Sequence, residues 1–344
     1  PLIKKSRAYY WVGDLQSSTG EDPRPMFEKA VESALAAQKL TSGDEISADS
    51  IGIGLLRIAD FERKLGKDPR PMVENALRHF DEAVRIQPTY AWAWNDAGSA
   101  LLTNVEYENT DGIDPLPSLN PAIQRFERAI IENNRYLAAY LNLTWAFAIL
   151  ANYEFSLGRD PHATVERAVK TCNDGRKIDP TWRPLMNNCG WAELVLAQYD
   201  EAFGAISDAA LVRTEQHFQS SLDLVKEESD TQFGMGAAKH VRALGQMRQN
   251  ADPSKTFAEA RDLLRHAIEL NGQEPAIHLE LGTLMLEMGL AEMKRGADAA
   301  ALFEEAERVV AAGRPRCVMC GMPMGPGPHA CANQNGHLRE EYEL

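Results

Sequence analysis

The 344-residue chain is 44% apolar and 25% charged, an ordinary composition for a folded, water-soluble protein, and it is long for a single compact core. Its formal net charge of -14 repels phosphate backbones, so no nucleic-acid partner is expected and basic peptides or basic protein faces are favoured. The longest purely apolar stretches are short, such as Ala146 to Ala151, far from the roughly 20 residues of a spanning helix. No membrane insertion is expected, and the opening Pro1-Leu2-Ile3-Lys4-Lys5 has no signal-peptide character.

The first predicted helix covers 1–19 and stops at Gly20-Glu21-Asp22-Pro23. Glycine accepts the left-handed conformation that ends a helix. Aspartate then caps the next helix, and proline fills its first position, where no N–H is needed. The tetrad returns as Gly66-Lys67-Asp68-Pro69, Gly112-Ile113-Asp114-Pro115 and Gly158-Arg159-Asp160-Pro161, each step being 46 residues. Gly204, Asn250-Ala251-Asp252-Pro253 and Gly296-Ala297-Asp298 continue the ruler with partial forms. Ala30, Ala76, Ala122, Ala168, Ala260 and Ala306 keep the same register, as do Gly52, Gly98, Gly190, Gly236 and Gly282, with Thr144 standing in once. Small residues at fixed helical positions let neighbouring helices approach closely.

The ruler divides the chain into seven helical hairpins. Their helices are predicted over 1–19 and 23–40, 46–65 and 69–87, 91–109 and 118–133, 136–157 and 161–178, 182–203 and 208–227, 231–249 and 253–270, and 274–295 and 298–312. Pro115, Pro117 and Pro121 are expected to delay the second helix of the third hairpin. The fifth register has lost Asp-Pro, and a bend is expected there. No alternating strand pattern occurs, so the fold class is all-α: an α-solenoid of antiparallel hairpins over 1–312, followed by a tail over 313–344.

The run Ala76-x3-Phe80-x2-Ala83-x4-Pro88, followed by Trp94-x2-Ala97-Gly98-x2-Leu101, resembles the second half of one tetratricopeptide repeat (TPR) and the first half of the next. The period differs, 46 residues here against about 34 in the family. The surplus lies inside the hairpin, because Gly52 to Ala76 spans 24 residues where the family spans about 12. The joint between repeats keeps the family's length. The recurring Gly-x-Asp-Pro also resembles repeat regions attached to large bacterial serine/threonine kinases, which would make this chain a regulatory or sensor part. No kinase Gly-rich loop, His-Arg-Asp or Asp-Phe-Gly is present.

The resemblance implies a non-catalytic protein-interaction scaffold, suited to being a subunit of a larger complex. A peptide or protein partner would lie against the first helices. In-register side chains form rows there: Trp94, Tyr140 and Met186; Trp145 and Trp191; and Asp96, Asn142 and Asn188, with Asn95 and Asn187 alongside. Asparagine offers both donor and acceptor to an extended peptide, and aromatic residues supply apolar anchors. The competing reading makes the aromatic residues inter-repeat packing and the asparagines solvated or capping groups.

After Gly313 the composition changes to Pro, Gly and Cys/His. Cys317, Cys320, His329, Cys331 and His337 follow the pattern C-x2-C-x8-H-x-C-x5-H. Cys317-x2-Cys320-Gly321 looks like a zinc knuckle, with Cys331 as third ligand and His337 or His329 as fourth. A disordered tail, and redox or copper chemistry using Met319, Met322 and Met324, are the alternatives. The total of five cysteines is odd and clustered, which argues against a disulfide framework and for a reducing, cytoplasmic setting. Cys172 and Cys189 read as small buried helix residues. Phosphate-binding loops, Gly-x-Ser-x-Gly and His-Glu-x2-His are all absent, and the remaining histidines are dispersed. No catalytic constellation emerges.

Overall fold

The computed structural model describes residues 1–204, 208–272 and 274–313. These residues form fourteen helices and no strand. In chain order they are α1 Leu2–Thr19, α2 Arg24–Leu40, α3 Glu45–Lys64, α4 Arg70–Ile86, α5 Ala91–Thr110, α6 Leu116–Glu132, α7 Leu137–Ser156, α8 His162–Arg176, α9 Arg183–Ala202, α10 Asp208–Leu224, α11 Ser229–Arg248, α12 Ser254–Leu270, α13 Pro275–Lys294 and α14 Ala300–Ala312. They pair as repeated antiparallel hairpins, the expected tetratricopeptide-like α-solenoid class. Two compact units share them, with the division inside α7 after Ala146.

Each tetrad behaves as punctuation. Gly20, Gly66, Gly112, Gly158, Gly204 and Gly296 all have φ between 67° and 82°, and Asn250 takes the same role at φ 56°. Asp22, Asp68, Asp114, Asp160, Asp252 and Asp298 each accept the N–H two residues on, at 2.9–3.1 Å. The proline stands at the N-cap rather than one residue inside, as at Pro23 and Pro69. The third hairpin corrects the sequence expectation, because α6 starts on register at Leu116. Pro115 and Pro117 occupy the first turn, where backbone N–H groups have no intrahelical partner anyway, and Pro121 forfeits only one bond. The fifth register, where the sequence predicts a bend, includes residues 205–207, which lie outside the described residues.

Helix faces follow the period. On α4 the buried residues are Val73, Ala76, Phe80, Ala83 and Val84, one apolar stripe at three and four spacing. On α5 burial extends around more of the circumference, through Ala91, Ala93, Ala97, Gly98, Ala100, Leu102 and Val105, because a first helix is packed on both sides. Close approach requires glycine at Gly98: a Cβ there would lie 2.5 Å from Phe126 Cε1. Gly52 meets Phe80 in the same way one register earlier.

First helices touch directly, α1 with α3 and α3 with α5 in one unit, α9 with α11 and α11 with α13 in the other. Successive second helices meet through side chains, as in the Arg125–Asp81 ion pair between α6 and α4 and the Arg265–Glu305 pair between α12 and α14, rather than by close backbone approach. In each unit the first-helix side is therefore the inner side of the curve.

Cys172 on α8 and Cys189 on α9 are both 1% exposed, as expected, but they are also paired as a disulfide across a Cα–Cα distance of 5.9 Å. Spacing alone could not reveal this, since the pairing depends on how α8 packs against α9.

Candidate partner-binding site

The first-helix face of the N-terminal unit collects the polar and aromatic groups best placed for a partner. Tyr90 and Tyr136 stand just before α5 and α7, one period apart. Trp92, at the second position of α5, lies between them with ring centroids 5.5 Å from each. It remains 48% exposed, a costly position for a large indole unless something covers it.

Two carboxylates adjoin this ladder. Asp49 on α3 is 5% exposed. Its Oδ2 accepts a long 3.4 Å bond from the Tyr90 hydroxyl, and its Oδ1 has no hydrogen-bond partner. Burial, then the nearby Asp96 carboxylate, pushes Asp49 well above the usual carboxylate range, although Arg7 pulls the other way. Burial also pushes Asp96 on α5 up to about 6, against a 3.1 Å bond from Asn95 Nδ2 and the charge of Arg57. The Tyr90 and Tyr136 hydroxyls are held protonated far above their ordinary value by burial and by these two carboxylates. On the α1 side, Arg57 donates to the Tyr10 hydroxyl at 2.9 Å and lies over that ring at 5.1 Å. The result is an aromatic face with two largely buried carboxyl groups beneath it.

The residues predicted from sequence are placed unevenly. Trp94 Nε1 donates to the Pro88 carbonyl at 2.9 Å, and Tyr140 Oη donates to the Asn134 carbonyl at 3.1 Å. In the second unit, Gln232 Nε2 donates to the Lys226 carbonyl at 2.9 Å, and His278 Nε2 faces the Gly272 carbonyl at 3.2 Å. These four residues share one register position, and each reaches back six residues to fasten its first helix to the preceding turn. Trp94 and Tyr140 therefore serve the joints with their polar atoms. Asn95 and Asn187, both 4% exposed, link successive first helices. Asn142 Nδ2 donates to Asn95 Oδ1 at 2.9 Å. Asn187 bonds Glu228, Asp230 and Thr231 at the start of α11. Trp191 donates to Asp230 at 3.2 Å and packs edge-on against Phe218 and Phe233. Asn188 is half-buried, and Trp145 is 37% exposed.

Asp49, Tyr90, Trp92 and Tyr136 were missing from the sequence-based set. A usable signal existed in the aromatic row Tyr90, Tyr136 and Trp182, each 46 residues apart. Asp49 is the register counterpart of Asn95, so its charge breaks the pattern that would have flagged it.

Cys317, Cys320, His329, Cys331 and His337 lie outside the described residues. Among the described residues, no three His, Cys, Asp or Glu side chains converge as a metal site. No helix among them is long and apolar enough to cross a membrane.

A protein family of unknown function, DUF3090, matches residues 287–331, a segment running from α13 to Cys331. No curated protein matches the chain. Several solved structures are similar to it. The S. pombe nuclear import adaptor Nro1 is 16% identical with a TM-score of 0.50, covering 78% of this chain and 93% of its own. A thermophilic TPR protein of Thermus thermophilus is 16% identical with a TM-score of 0.46, covering 68% of this chain and 99% of its own. The APC/C hetero-tetramer Cut9-Hcn1 contains a chain 15% identical with a TM-score of 0.48, covering 84% of this chain and 49% of its own. At such identities the likeness concerns the fold alone.

Proposed function

We propose that this protein is a non-catalytic interaction scaffold whose first-helix face holds a peptide or protein segment. The Tyr90–Trp92–Tyr136 ladder carries this reading, because a half-exposed tryptophan lying tilted between two tyrosines is a ready apolar anchor. Asp49 and Asp96 lie beside it as carboxyl groups whose burial disfavours their charge, and the chain as a whole is acidic. Of the predicted set, Asn142, Trp145 and Asn188 keep part of their surface exposed, whereas Trp94, Asn95, Tyr140, Asn187 and Trp191 act mainly by holding the face in shape. The test is an array of random 12-residue peptides probed with the full chain and with Trp92→Ala. Reproducible binding that falls at least tenfold in the variant supports the reading. No binding, or binding indifferent to Trp92, refutes it. The kinase-linked role rests only on the recurring Gly-x-Asp-Pro, which helix punctuation already explains.

The tail supports a second reading. The segment matched by DUF3090 contains Cys317, Cys320, His329 and Cys331, so the cysteine cluster falls within a recognisable sequence unit. We infer that Cys317, Cys320 and Cys331, completed by His337 or His329, hold a structural zinc ion. Elemental analysis of the purified full chain beside a chain ending at Gly313 tests this. One zinc per full chain and none in the shorter one is expected, and absence of zinc from both overturns it.

A further inference from the structure

The N-terminal unit contains a cavity of about 350 Å³ between α1 and α3, open on one side. Its wall includes Ser6, Arg7, Tyr10 and Trp11 from α1 and Asp49 and Ser50 from α3. We propose that this pocket receives the cationic side chain, lysine or arginine, of the peptide that the first-helix face binds. The inference rests on the scaffold reading and specifies the chemistry of its partner.

Three observations converge on a cation. The first is Asp49. A carboxylate 5% exposed normally has both oxygens satisfied, yet Oδ1 accepts no hydrogen bond and Oδ2 accepts only one of 3.4 Å. Either a proton or an incoming cation relieves such a group. The second is Asp96, whose charge acts on Asp49; one arriving cation offsets both carboxylates. The third is the aromatic wall. Trp11 is 69% exposed and stands edge-on to Tyr10 at 5.9 Å. Ring faces attract ammonium and guanidinium groups and accommodate their aliphatic stems. The Tyr10 ring already carries one guanidinium, that of Arg57.

A divalent metal fits poorly, because hard cations require six or more oxygen ligands and aromatic carbons offer none. The basic side chain whose charge acts on Asp49 from within the protein is Arg7, which is exposed and lines the same cavity. It is therefore placed to yield its position to a partner's side chain. A peptide side chain is preferred over a free amine because Asp49 also bonds Tyr90 of the exposed aromatic ladder, which offers further anchorage to neighbouring residues.

The experiment uses the same array of random 12-residue peptides with the full wild-type chain and with Asp49→Asn. Peptides bound by the wild type should be enriched in lysine or arginine at one anchor position. Replacing that lysine with norleucine should weaken binding about tenfold or more in the wild type and less than twofold in Asp49→Asn. The norleucine arm alters the peptide alone, so it stands even if the variant folds badly. Peptides that bind through Trp92 without a basic preference overturn the inference and leave the scaffold reading intact. Failure to bind any peptide removes both. A free probe, n-butylamine, that competes at micromolar concentration would also overturn the inference by identifying a small-amine site.

Discussion

Replacing Asp96 with asparagine should stabilise the protein at neutral pH. Asp96 is half-buried on α5, and burial raises its carboxyl from the ordinary 3.8 to about 6. The folded chain therefore holds this proton more tightly than the unfolded chain does. Between those two values the native state binds the extra proton, so stability is lost as pH rises through the interval. Each pH unit corresponds to about 1.4 kcal/mol, which makes the penalty about 3 kcal/mol once Asp96 is fully ionised. Asp49 is raised partly by Asp96, so removing the Asp96 charge relieves Asp49 as well. Asparagine retains an oxygen to accept the Asn95 bond. Urea unfolding followed by helical circular dichroism at pH 4, 5, 6 and 7.5 measures the difference. The variant should match the wild type at pH 4 and exceed it increasingly up to about pH 6.5. A variant less stable at pH 7.5, or a difference independent of pH, refutes the argument that the Asp49–Asp96 region is electrostatically frustrated.

Gly98→Ala sets two effects against each other: alanine gains about 1 kcal/mol of helix propensity, while a Cβ 2.5 Å from the fully buried Phe126 ring costs about 1–3 kcal/mol. The packing effect should dominate, giving a lower urea midpoint that Phe126→Leu in the same chain partly restores. Tyr140→Phe removes the bond to the Asn134 carbonyl and should cost about 1 kcal/mol, read as a lower melting temperature. Reducing the Cys172–Cys189 bond, whose partners are 17 residues apart, should cost about 3 kcal/mol; unfolding with and without dithiothreitol measures this, and Cys172→Ser should abolish the reductant effect.

The hairpins were legible because their signals are local. Gly66, Asp68 and Pro69 act within one turn of chain, and the positive φ and capping bonds at successive tetrads follow from residue chemistry alone. The period also marked Gly98 as a position of close helix approach, though not that it meets Phe126. Contacts between repeats were harder to read. Trp94 and Asn95 look like a binding pair on one helical turn, but one reaches back to Pro88 and the other meets Asp96 and Asn142. Which partner each finds depends on the spacing and tilt of successive first helices, which a linear register does not contain. Pro117 and Pro121 misled for a related reason. Their cost depends on which backbone bonds a helix can lose, and within the first turns it loses few.

The scaffold account is tested most directly by hydrogen–deuterium exchange on the full chain, with and without a saturating peptide from the array. The account predicts slowed exchange in α3 and α5 and at residues 88–92 and 134–138, with α2, α4 and α6 unchanged. Protection confined to α2, α4 and α6 would place the partner on the opposite face and contradict it.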